Sequence, residues 1–303
     1  MARRVWKVVG AIAGTVVVGL GGFVAWQAHA FDASMERTHA RPLPSLSRST
    51  DAAVVSRGKH LAESVAACAS GECHGPDLSG GRTIAMGPVA TFTGPNITSA
   101  GKRAGGYTVP EVARLIRHGV KRDGKGVTFM PVHEINWLPD DDLVAIGSYL
   151  ATVPPVEKPD GETRVKLLGK LLDRRGKLVL DIARHIEQSP PTGDVPAPEP
   201  TARYGRFVAR ACTGCHGERL SGGPIPGAPS SMPIPANLTP HPSALGPWTF
   251  DDFQKLLSTG VKRDGKKLDP FMPLDAVSRL DDIERRALWE YLRTLQPLPF
   301  GGR

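Results

Sequence analysis

An internal duplication is the feature that most limits how this chain can fold. The string HGVKRDGKGVTFMP, which begins at His118, matches TGVKRDGKKLDPFMP, which begins at Thr259, and CHGPDLSGG from Cys73 matches CHGERLSGG from Cys215. The matched strings are offset by 141 or 142 residues. Self-similarity at a fixed offset indicates copies of one structural unit. We therefore expect two domains of one fold, the first repeat (residues 55–155) and the second repeat (residues 203–298).

Both repeats show short helical patterns separated by long loops. A helix start is expected at Asp140 in the first repeat and at Asp281 in the second, because aspartate favours this position. Neither repeat shows the alternation of apolar and polar residues that is typical of strands. The sequence therefore predicts an all-α fold. The predicted helices cover 56–67, 110–118 and a segment ending at Leu150 in the first repeat, and 204–211, 250–258 and a segment ending at Leu295 in the second.

All four cysteines lie in two motifs that end in Cys-His-Gly. The second motif runs from Cys212 through Cys215 to His216 and has the Cys-x-x-Cys-His spacing of covalent c-type haem attachment. Two thioethers would hold the porphyrin while the adjacent histidine reaches the iron. Disulfides or a zinc site are alternatives, but neither explains a histidine after the second cysteine of both motifs. The second motif therefore predicts a haem.

The first motif is longer, with four residues between Cys68 and Cys73. His74 still follows the second cysteine directly, and the strings after it stay in register with the second repeat. We interpret the difference as two extra residues, including Ser70 and Gly71, that loop out locally. Cys68, Cys73 and His74 are therefore expected to bind a haem as well, while the spacing leaves open whether Cys68 forms a thioether.

A methionine follows each motif histidine at the same distance. Met130 lies 56 residues after His74, and Met272 lies 56 residues after His216, both within Phe-Met-Pro. A thioether is a suitable sixth ligand for low-spin haem iron. Equal spacing in the two repeats favours iron ligation over simple core filling. The expected iron ligands are therefore His74 and Met130 in one repeat and His216 and Met272 in the other.

The N-terminal segment, residues 1–30, contains a run long enough to cross a bilayer. Three basic residues precede nineteen almost wholly apolar residues from Val8 to Trp26, and about twenty suffice for a spanning helix. The positive-inside rule then places the N-terminus in the cytoplasm and the rest of the chain outside. The string at 28–30, Ala-His-Ala, resembles a signal cleavage site, so a cleaved signal is the alternative to an anchor. Residues 31–54 are expected to be a linker.

The segment between the repeats, residues 156–202, has the pattern of a basic helical linker. Its ends, PPVEKP and SPPTGDVPAPEP, are rich in proline, and its middle, RVKLLGKLLDRRGKLVLDIARHIEQ, places leucines on one side and basic residues on the other. We expect this helix to bridge the two repeats, with contact to anionic lipid as the alternative.

The overall charge gives a broad indication of the partners. The chain has 38 basic and 30 acidic residues, a net charge of +8, which suits acidic proteins or anionic lipid. Aromatic residues do not alternate with basic clusters as in nucleic-acid sites, so no nucleic-acid partner is expected. The 34 glycines and 28 prolines indicate a loop-rich chain, for which a porphyrin would supply apolar surface to pack against.

Together these elements resemble the di-haem class I cytochrome c family, particularly the cytochrome c subunits of bacterial membrane-bound alcohol and gluconate dehydrogenases. The matching elements are the Cys-His-Gly motifs, the GPNIT and ANLT loops, the GVKRDG turns and the FMP loops. The resemblance implies two tandem class I cytochrome c domains after a transmembrane helix, with two covalently bound haem c groups. It also implies a single-pass protein of the bacterial inner membrane whose haem domains face the periplasm.

The resemblance further implies an electron-transfer protein and not an enzyme. The expected partner is a redox protein, either a dehydrogenase or a quinol oxidase or terminal oxidase of the respiratory chain. Irons capped by histidine and methionine have no open position for substrate, which favours electron relay. A di-haem enzyme such as a cytochrome c peroxidase, with a vacant or displaceable sixth position on one iron, is the alternative. A haem-based sensor is disfavoured because no signalling module accompanies the motifs.

Overall fold

The structure is a computed structural model that describes residues 2–186, 196–226, 228 and 232–303. Part of the proline-rich string SPPTGDVPAPEP, at 189–195, and the end of the preceding basic stretch, at 187–188, lie outside the described residues. The helices within the described part are α1 (Ala2–Met35), α2 (Ala52–Glu63), α3 (Val109–His118), α4 (Val132–Ile135), α5 (Asp140–Leu150), α6 (Leu167–Arg174), α7 (Ile182–His185), α8 (Ala202–Val208), α9 (Arg210–His216), α10 (Phe250–Thr259), α11 (Leu274–Val277) and α12 (Asp282–Thr294). The strands are β1 (Thr83–Met86), β2 (Ala90–Thr93) and β3 (Arg164–Val165).

The helices predicted in both repeats are present, with some shifted ends. Helix α2 begins four residues earlier than expected because Asp51 caps it, accepting hydrogen bonds from the N–H groups of Ala53 and Val54 at 2.7 and 3.3 Å. Helix α12 begins directly after Asp281, whose side chain accepts from the N–H of Glu284 while the Glu284 carboxylate accepts from the N–H of Asp281. The expected helix over 204–211 is divided into α8 and α9.

The first and last helices of each repeat pack closely at a glycine. A Cβ on Gly58 of α2 would lie 1.9 Å from the backbone oxygen of Ala145 in α5. A Cβ on Gly205 of α8 would lie 1.8 Å from the backbone oxygen of Ala287 in α12. Only glycine permits such an approach between backbones. The two repeats therefore share the same helix pair with the same glycine contact.

The expectation of an all-α fold is wrong in one respect, because the first repeat contains a β-hairpin in a mainly helical structure. Strands β1 and β2 pair antiparallel, with Thr83 opposite Thr93, and β3 adds to β2 with Val165 opposite Ala90. Strands of four residues are too short to show a clear alternation of apolar and polar residues. Gly87, with φ of +49°, lies in the turn between the two strands.

Helix α1 is long, exposed along its apolar part and packed only near its C-terminal end. Its 34 residues span about 51 Å, and its residues 3–35 form the one candidate membrane span found among the described residues. Phe31, only 2% exposed, lies in a cluster with Met86, Phe92 and Leu180. The end of α1 is therefore packed against the hairpin of the first repeat.

The segment after the first repeat does not form the expected bridging helix within its described residues. Helix α6 ends at Arg174, and Gly176 with φ of +66° breaks the helical path. Leu172 and Leu180 pack in the same apolar cluster as Phe31. The segment therefore packs on the hairpin and α1, because its leucines find an apolar surface there.

The two repeats share one hydrophobic core. Its buried members include Val65 and Ile146 from the first repeat and Tyr204 and Leu292 from the second. Burial of one continuous apolar cluster stabilises the two repeats as a single unit. Around this core, ion pairs join the repeats, between His60 and Glu284 at 3.0 Å and between Glu63 and Arg279 at 2.7 Å.

Candidate haem sites

The two motif histidines make the same hydrogen bond. His74 Nδ1 lies 2.8 Å from the backbone oxygen of Pro95, and His216 Nδ1 lies 2.7 Å from that of Ala236. A carbonyl oxygen can only accept, so Nδ1 carries the proton in both residues and Nε2 keeps its lone pair. A histidine that binds a metal through one ring nitrogen commonly donates the other N–H in this way. Both residues are thus prepared to bind iron through Nε2.

Burial keeps both imidazoles in the neutral form that a metal requires. It lowers the pKa of His74 and of His216, and the hydrogen bonds to Pro95 and Ala236 only partly offset this effect. His216 is 7% exposed. A neutral imidazole is the ligand form, because a protonated ring has no free lone pair.

An asparagine fixes each loop that supplies the acceptor carbonyl. Asn96 Oδ1 accepts from the N–H and hydroxyl of Thr98 at 2.9 and 2.7 Å, and its Nδ2 donates to a backbone oxygen beyond α5. Asn237 makes the same bonds with Thr239 and with a backbone oxygen beyond α12. Sequence reasoning used GPNIT and ANLT only as matching strings. Their shared Asn-x-Thr was the signal for this supporting role.

The second motif is helical and compact. Helix α9 contains Cys212, Cys215 and His216, and it ends at Gly217, which has φ of +82° and donates its N–H to the oxygen of Thr213. One helical turn between the cysteines places both side chains beside the histidine. This arrangement fits the attachment of one porphyrin by two thioethers.

The backbone of the first motif leads from Cys68 to His74 through successive turns instead of a helix. The N–H of His74 donates to the oxygen of Cys68 at 3.0 Å, so the six-residue loop closes on itself. The backbone oxygen of Ser70 accepts from the N–H groups of Cys73 and Gly75. Ser70 is only 2% exposed, so the expectation that this residue loops out is wrong. Ser70 is folded inward because its backbone oxygen finds two partners within the motif.

No disulfide joins any of the four cysteines, so the disulfide alternative gains no support. Burial raises the pKa of Cys68 and of Cys212 to about 12, and it also raises the pKa of Cys73 and Cys215. Within the described residues, no cysteine belongs to a cluster of three metal-ligating groups, so the zinc alternative gains no support. Two thiols and an adjacent neutral histidine in each repeat fit a covalent haem c.

The expected methionine ligands precede turns of equal geometry. The backbone oxygen of Met130 accepts from the N–H of Val132 at 2.8 Å, and that of Met272 accepts from the N–H of Leu274 at 2.7 Å. The intervening prolines have φ and ψ of −79° and 61° in the first repeat and −72° and 69° in the second, which are values of an inverse γ-turn. Both methionines are half-buried, and ligation of iron by their sulfurs remains a prediction.

Each repeat places a carboxylate on the cysteine motif of the other repeat. The Glu134 carboxylate of α4 packs against Gly214, between the two cysteines of the second motif, so closely that a Cβ on this glycine would clash with Oε1. The N–H of Gly71, between the cysteines of the first motif, donates to Asp275 Oδ2 of α11 at 3.0 Å. Burial raises the pKa of Glu134 to about 8. Sequence reasoning missed both contacts, which bring the two motifs to one interface.

A third polar cluster joins the repeats away from the cysteines. His60 Nε2 of α2 lies 3.0 Å from both carboxylate oxygens of Glu284 and 3.7 Å from Asp281 Oδ2. The geometry would suit a cation, but Arg57 Nη1 lies 3.8 Å from Glu284 and already supplies positive charge. The hydrogen bond from Glu284 raises the pKa of His60. This cluster is therefore an ion-pair network between the repeats.

The comparisons with known proteins agree with this geometry. The family model described as Cytochrome c matches residues 205–296, which is nearly the whole second repeat. The chain is 28% identical over 263 residues to the fructose dehydrogenase cytochrome subunit of Gluconobacter japonicus, covering 80% of this chain and 52% of the relative. It is 26% identical over 275 residues to the cytochrome c subunit of the alcohol dehydrogenase (quinone) of Gluconacetobacter polyoxogenes, covering 82% of this chain and 57% of the relative.

A shorter match extends the pattern to a third dehydrogenase. The gluconate 2-dehydrogenase cytochrome c subunit of Pantoea cypripedii is 31% identical over 105 residues, covering 32% of this chain and 24% of the relative. The chain thus spans about half the length, or less, of these relatives. The resemblance to cytochrome c subunits of dehydrogenases is confirmed, and the second repeat matches the cytochrome c family model.

Proposed function

We propose that this chain, whose second repeat is a cytochrome c domain, is a membrane-tethered di-haem cytochrome that relays electrons from a dehydrogenase to the respiratory chain. The observation that carries the proposal is the repeated histidine geometry: in both repeats the histidine after the second cysteine donates its Nδ1–H to a backbone carbonyl, which leaves the Nε2 lone pair for a metal. The relatives support the electron-transfer role, because they are cytochrome subunits of dehydrogenases. They support a dehydrogenase as partner, and they give no support to a quinol or terminal oxidase.

The presence of two haems rests on the likeness of the first repeat to the second. The family model matches the second repeat alone, but His74 and Asn96 have counterparts with equal contacts in the second repeat. The longer first motif changes the path between the cysteines and keeps the histidine in place. We assign one covalent haem to Cys68, Cys73 and His74, and a second to Cys212, Cys215 and His216.

The proposed iron ligands explain why the protein would carry electrons without turning over a substrate. Haem iron supplies reversible one-electron exchange between its ferric and ferrous states. His74 and His216 would each hold an iron, and Met130 and Met272, presented by the inverse γ-turns at Pro131 and Pro273, would each supply a second protein ligand. With both ligands supplied by the protein, no coordination site would be left for peroxide or another small substrate.

Helix α1 supports an uncleaved anchor. Trp6 and Trp26, which are 75% and 57% exposed, lie about 30 Å apart along the helix, the thickness of a bilayer core. Tryptophans commonly lie at both membrane interfaces. The string at 28–30 that resembles a cleavage site lies inside α1, and Phe31 directly after it is packed in the first repeat. We propose that α1 crosses the inner membrane once and that both repeats face the periplasm.

The test is to count haems and identify ligands in the purified holoprotein. Mass spectrometry of the denatured chain should show two covalently attached haems. Ferric spectra should show low-spin iron at both sites with the charge-transfer band of sulfur ligation, half of which is lost in Met130→Ala and half in Met272→Ala. Met232→Ala is the control, because Met232 has no counterpart in the first repeat. One haem per chain would overturn the di-haem assignment, and high-spin iron in the unmodified protein would favour a peroxidase.

A further inference from the structure

Helix α6 runs antiparallel to the end of α1, and this arrangement fixes which part of the first repeat lies nearest the apolar run. Lys170 Nζ is 2.6 Å from Asp32 Oδ2, while Arg174 Nε is 3.2 Å from Gln27 Oε1. A step toward the C-terminus of α6 therefore corresponds to a step toward the N-terminus of α1. The C-terminal end of α6 thus lies level with Gln27, directly after the apolar residues that end at Trp26.

Three exposed basic residues lie at this level, namely Arg174, Arg175 and Lys177, which we call the basic turn. Among the described residues, no carboxylate oxygen lies within 4 Å of their charged nitrogens. The nearby acidic residues are otherwise engaged, because Asp173 is buried and paired with Arg184, and Asp32 is paired with Lys170. The basic turn therefore carries uncompensated positive charge.

The backbone holds the basic turn in a fixed position. Gly176 adopts φ of +66°, and the N–H of Lys177 donates to the oxygen of Leu172 at 2.9 Å, which closes the end of α6. Leu172 and Leu178 on either side pack in the cluster that also holds Phe31 of α1. The basic turn is therefore part of the same packed unit as the end of α1. Its position along the axis of α1 is fixed relative to Trp26.

We propose that the basic turn binds the headgroups of anionic phospholipids at the periplasmic surface of the inner membrane. The inference rests on the proposed anchor, because α1 must span the bilayer for the turn to reach headgroup level. Clusters of basic residues beside a spanning helix attract anionic lipid within about a Debye length of the surface. An acidic surface on a partner protein is the competing occupant. The position beside Trp26, where the apolar run meets the polar part of α1, favours lipid.

Binding at this turn would set the orientation of the first repeat above the membrane. The anchor alone fixes one point of attachment and leaves rotation about the axis of α1 free. Contacts of Arg174, Arg175 and Lys177 with headgroups add a second point on one side of that axis. The haem-binding motifs would then face a preferred direction, which limits the directions from which a redox partner can approach.

The experiment uses the full-length holoprotein in nanodiscs of phosphatidylcholine alone and of phosphatidylcholine with phosphatidylglycerol. The readout is the rate of amine acylation at Lys177, normalised to Lys262 of the second repeat. We expect this rate to fall about fivefold in the anionic discs and to recover at high salt, because salt screens the attraction. The variant R174Q/R175Q should lose most of the effect. The variant K266Q/K267Q, which removes two exposed charges from the second repeat, should keep it.

The two proposals can fail separately. If the chain is not retained in discs of either composition, both the anchor and the lipid site are wrong. If the chain is retained but Lys177 reacts equally in the two kinds of disc, only the lipid site is wrong. The lipid site is also wrong if the acylation of Lys177 slows in the anionic discs as much in R174Q/R175Q as in the unmodified chain.

Discussion

The Glu134 carboxylate of the first repeat packs directly against Gly214, in the middle of the cysteine motif of the second repeat, where a Cβ would clash with Oε1. In the first motif, Asp275 of the second repeat accepts a hydrogen bond from the N–H of Gly71 at 3.0 Å. A negative charge close to a haem stabilises the ferric state and lowers the reduction potential. The contacts therefore give each repeat an electrostatic influence on the site of the other.

Glu134 provides a test of this influence, because its pKa is raised to about 8. In the unmodified protein, the potential of the second site should fall by about 40 mV between pH 6.5 and 9.5 as Glu134 ionises, which corresponds to ~1 kcal/mol of charge interaction. In Glu134→Gln this part of the pH dependence should be absent, with the potential unchanged at pH 6.5. Spectroelectrochemical titration at several pH values measures both. Asp275→Asn is the matched variant and should raise the potential of the first site instead.

The first and last helices of each repeat contact each other at a glycine, so replacing that glycine with alanine should lower the stability of the protein. A Cβ at Gly58 or Gly205 would meet a backbone oxygen that cannot rotate away. We expect Gly58→Ala and Gly205→Ala each to lower the free energy of unfolding by about 1–3 kcal/mol, as for other overpacked sites. Thermal unfolding of the holoprotein measures the change. Gly71→Ala is the control, since nothing lies within 4 Å of its Cβ, and equal stability of all three variants would contradict the packing.

The pair of His60 and Glu284 predicts that the contact between the repeats depends on pH. The pKa of His60 is raised above its ordinary value of 6.5 by Glu284, so the folded state holds the proton more tightly than the unfolded state. Its contribution is fully present below pH 6.5 and is lost as the pH rises through the raised value. Denaturant unfolding at pH 5.5 to 8.5 should show this decline, and His60→Asn should remove it. An unchanged slope in His60→Asn would assign the decline to another group.

The longer first motif predicts a definite thiol count. Cys68 is 8% exposed and lies in a loop that closes onto His74, so we expect it to form a thioether despite the added residues. Alkylation of the denatured holoprotein should then label no cysteine. Labelling at Cys68 alone would show attachment through Cys73 only. In Cys68→Ser we expect the first haem to remain, held by the Cys73 thioether and His74.

The sequence predicts the residues of the proposed haem sites, whereas it gives little indication of the contacts that support them. The motif cysteines, His74 and His216 follow from spacing alone, because covalent haem requires neighbouring residues in the chain. The carbonyls of Pro95 and Ala236 lie about twenty residues away, and their role depends on how the Asn-x-Thr loops fold back. The hairpin was missed because four-residue strands carry little periodicity, and it is stabilised by packing with Phe31 and Leu180.

Contacts between the repeats were beyond the reach of sequence patterns. Nothing in the spacing of Glu134 or Asp275 relates either residue to a glycine of the opposite motif. Such pairs depend on the relative placement of two folded units, which is set by the shape of their shared core. The same holds for α6, whose leucines predicted an amphipathic helix correctly but did not indicate that α1 and the hairpin would cover them.

The exchange of carboxylates between the motifs has the form of a symmetric homodimer joined into one polypeptide. In such a dimer each subunit offers the same patch, so every contact occurs twice with the partners reversed. Glu134 with Gly214 and Asp275 with Gly71 follow this rule only approximately, because Glu134 aligns with Ala276, one position after Asp275, and Gly71 is one of the residues added in the first motif. When the two halves belong to one polypeptide, each half needs to form only its own side of the interface. The second half can then specialise while the first keeps the additional apolar surface that receives α1.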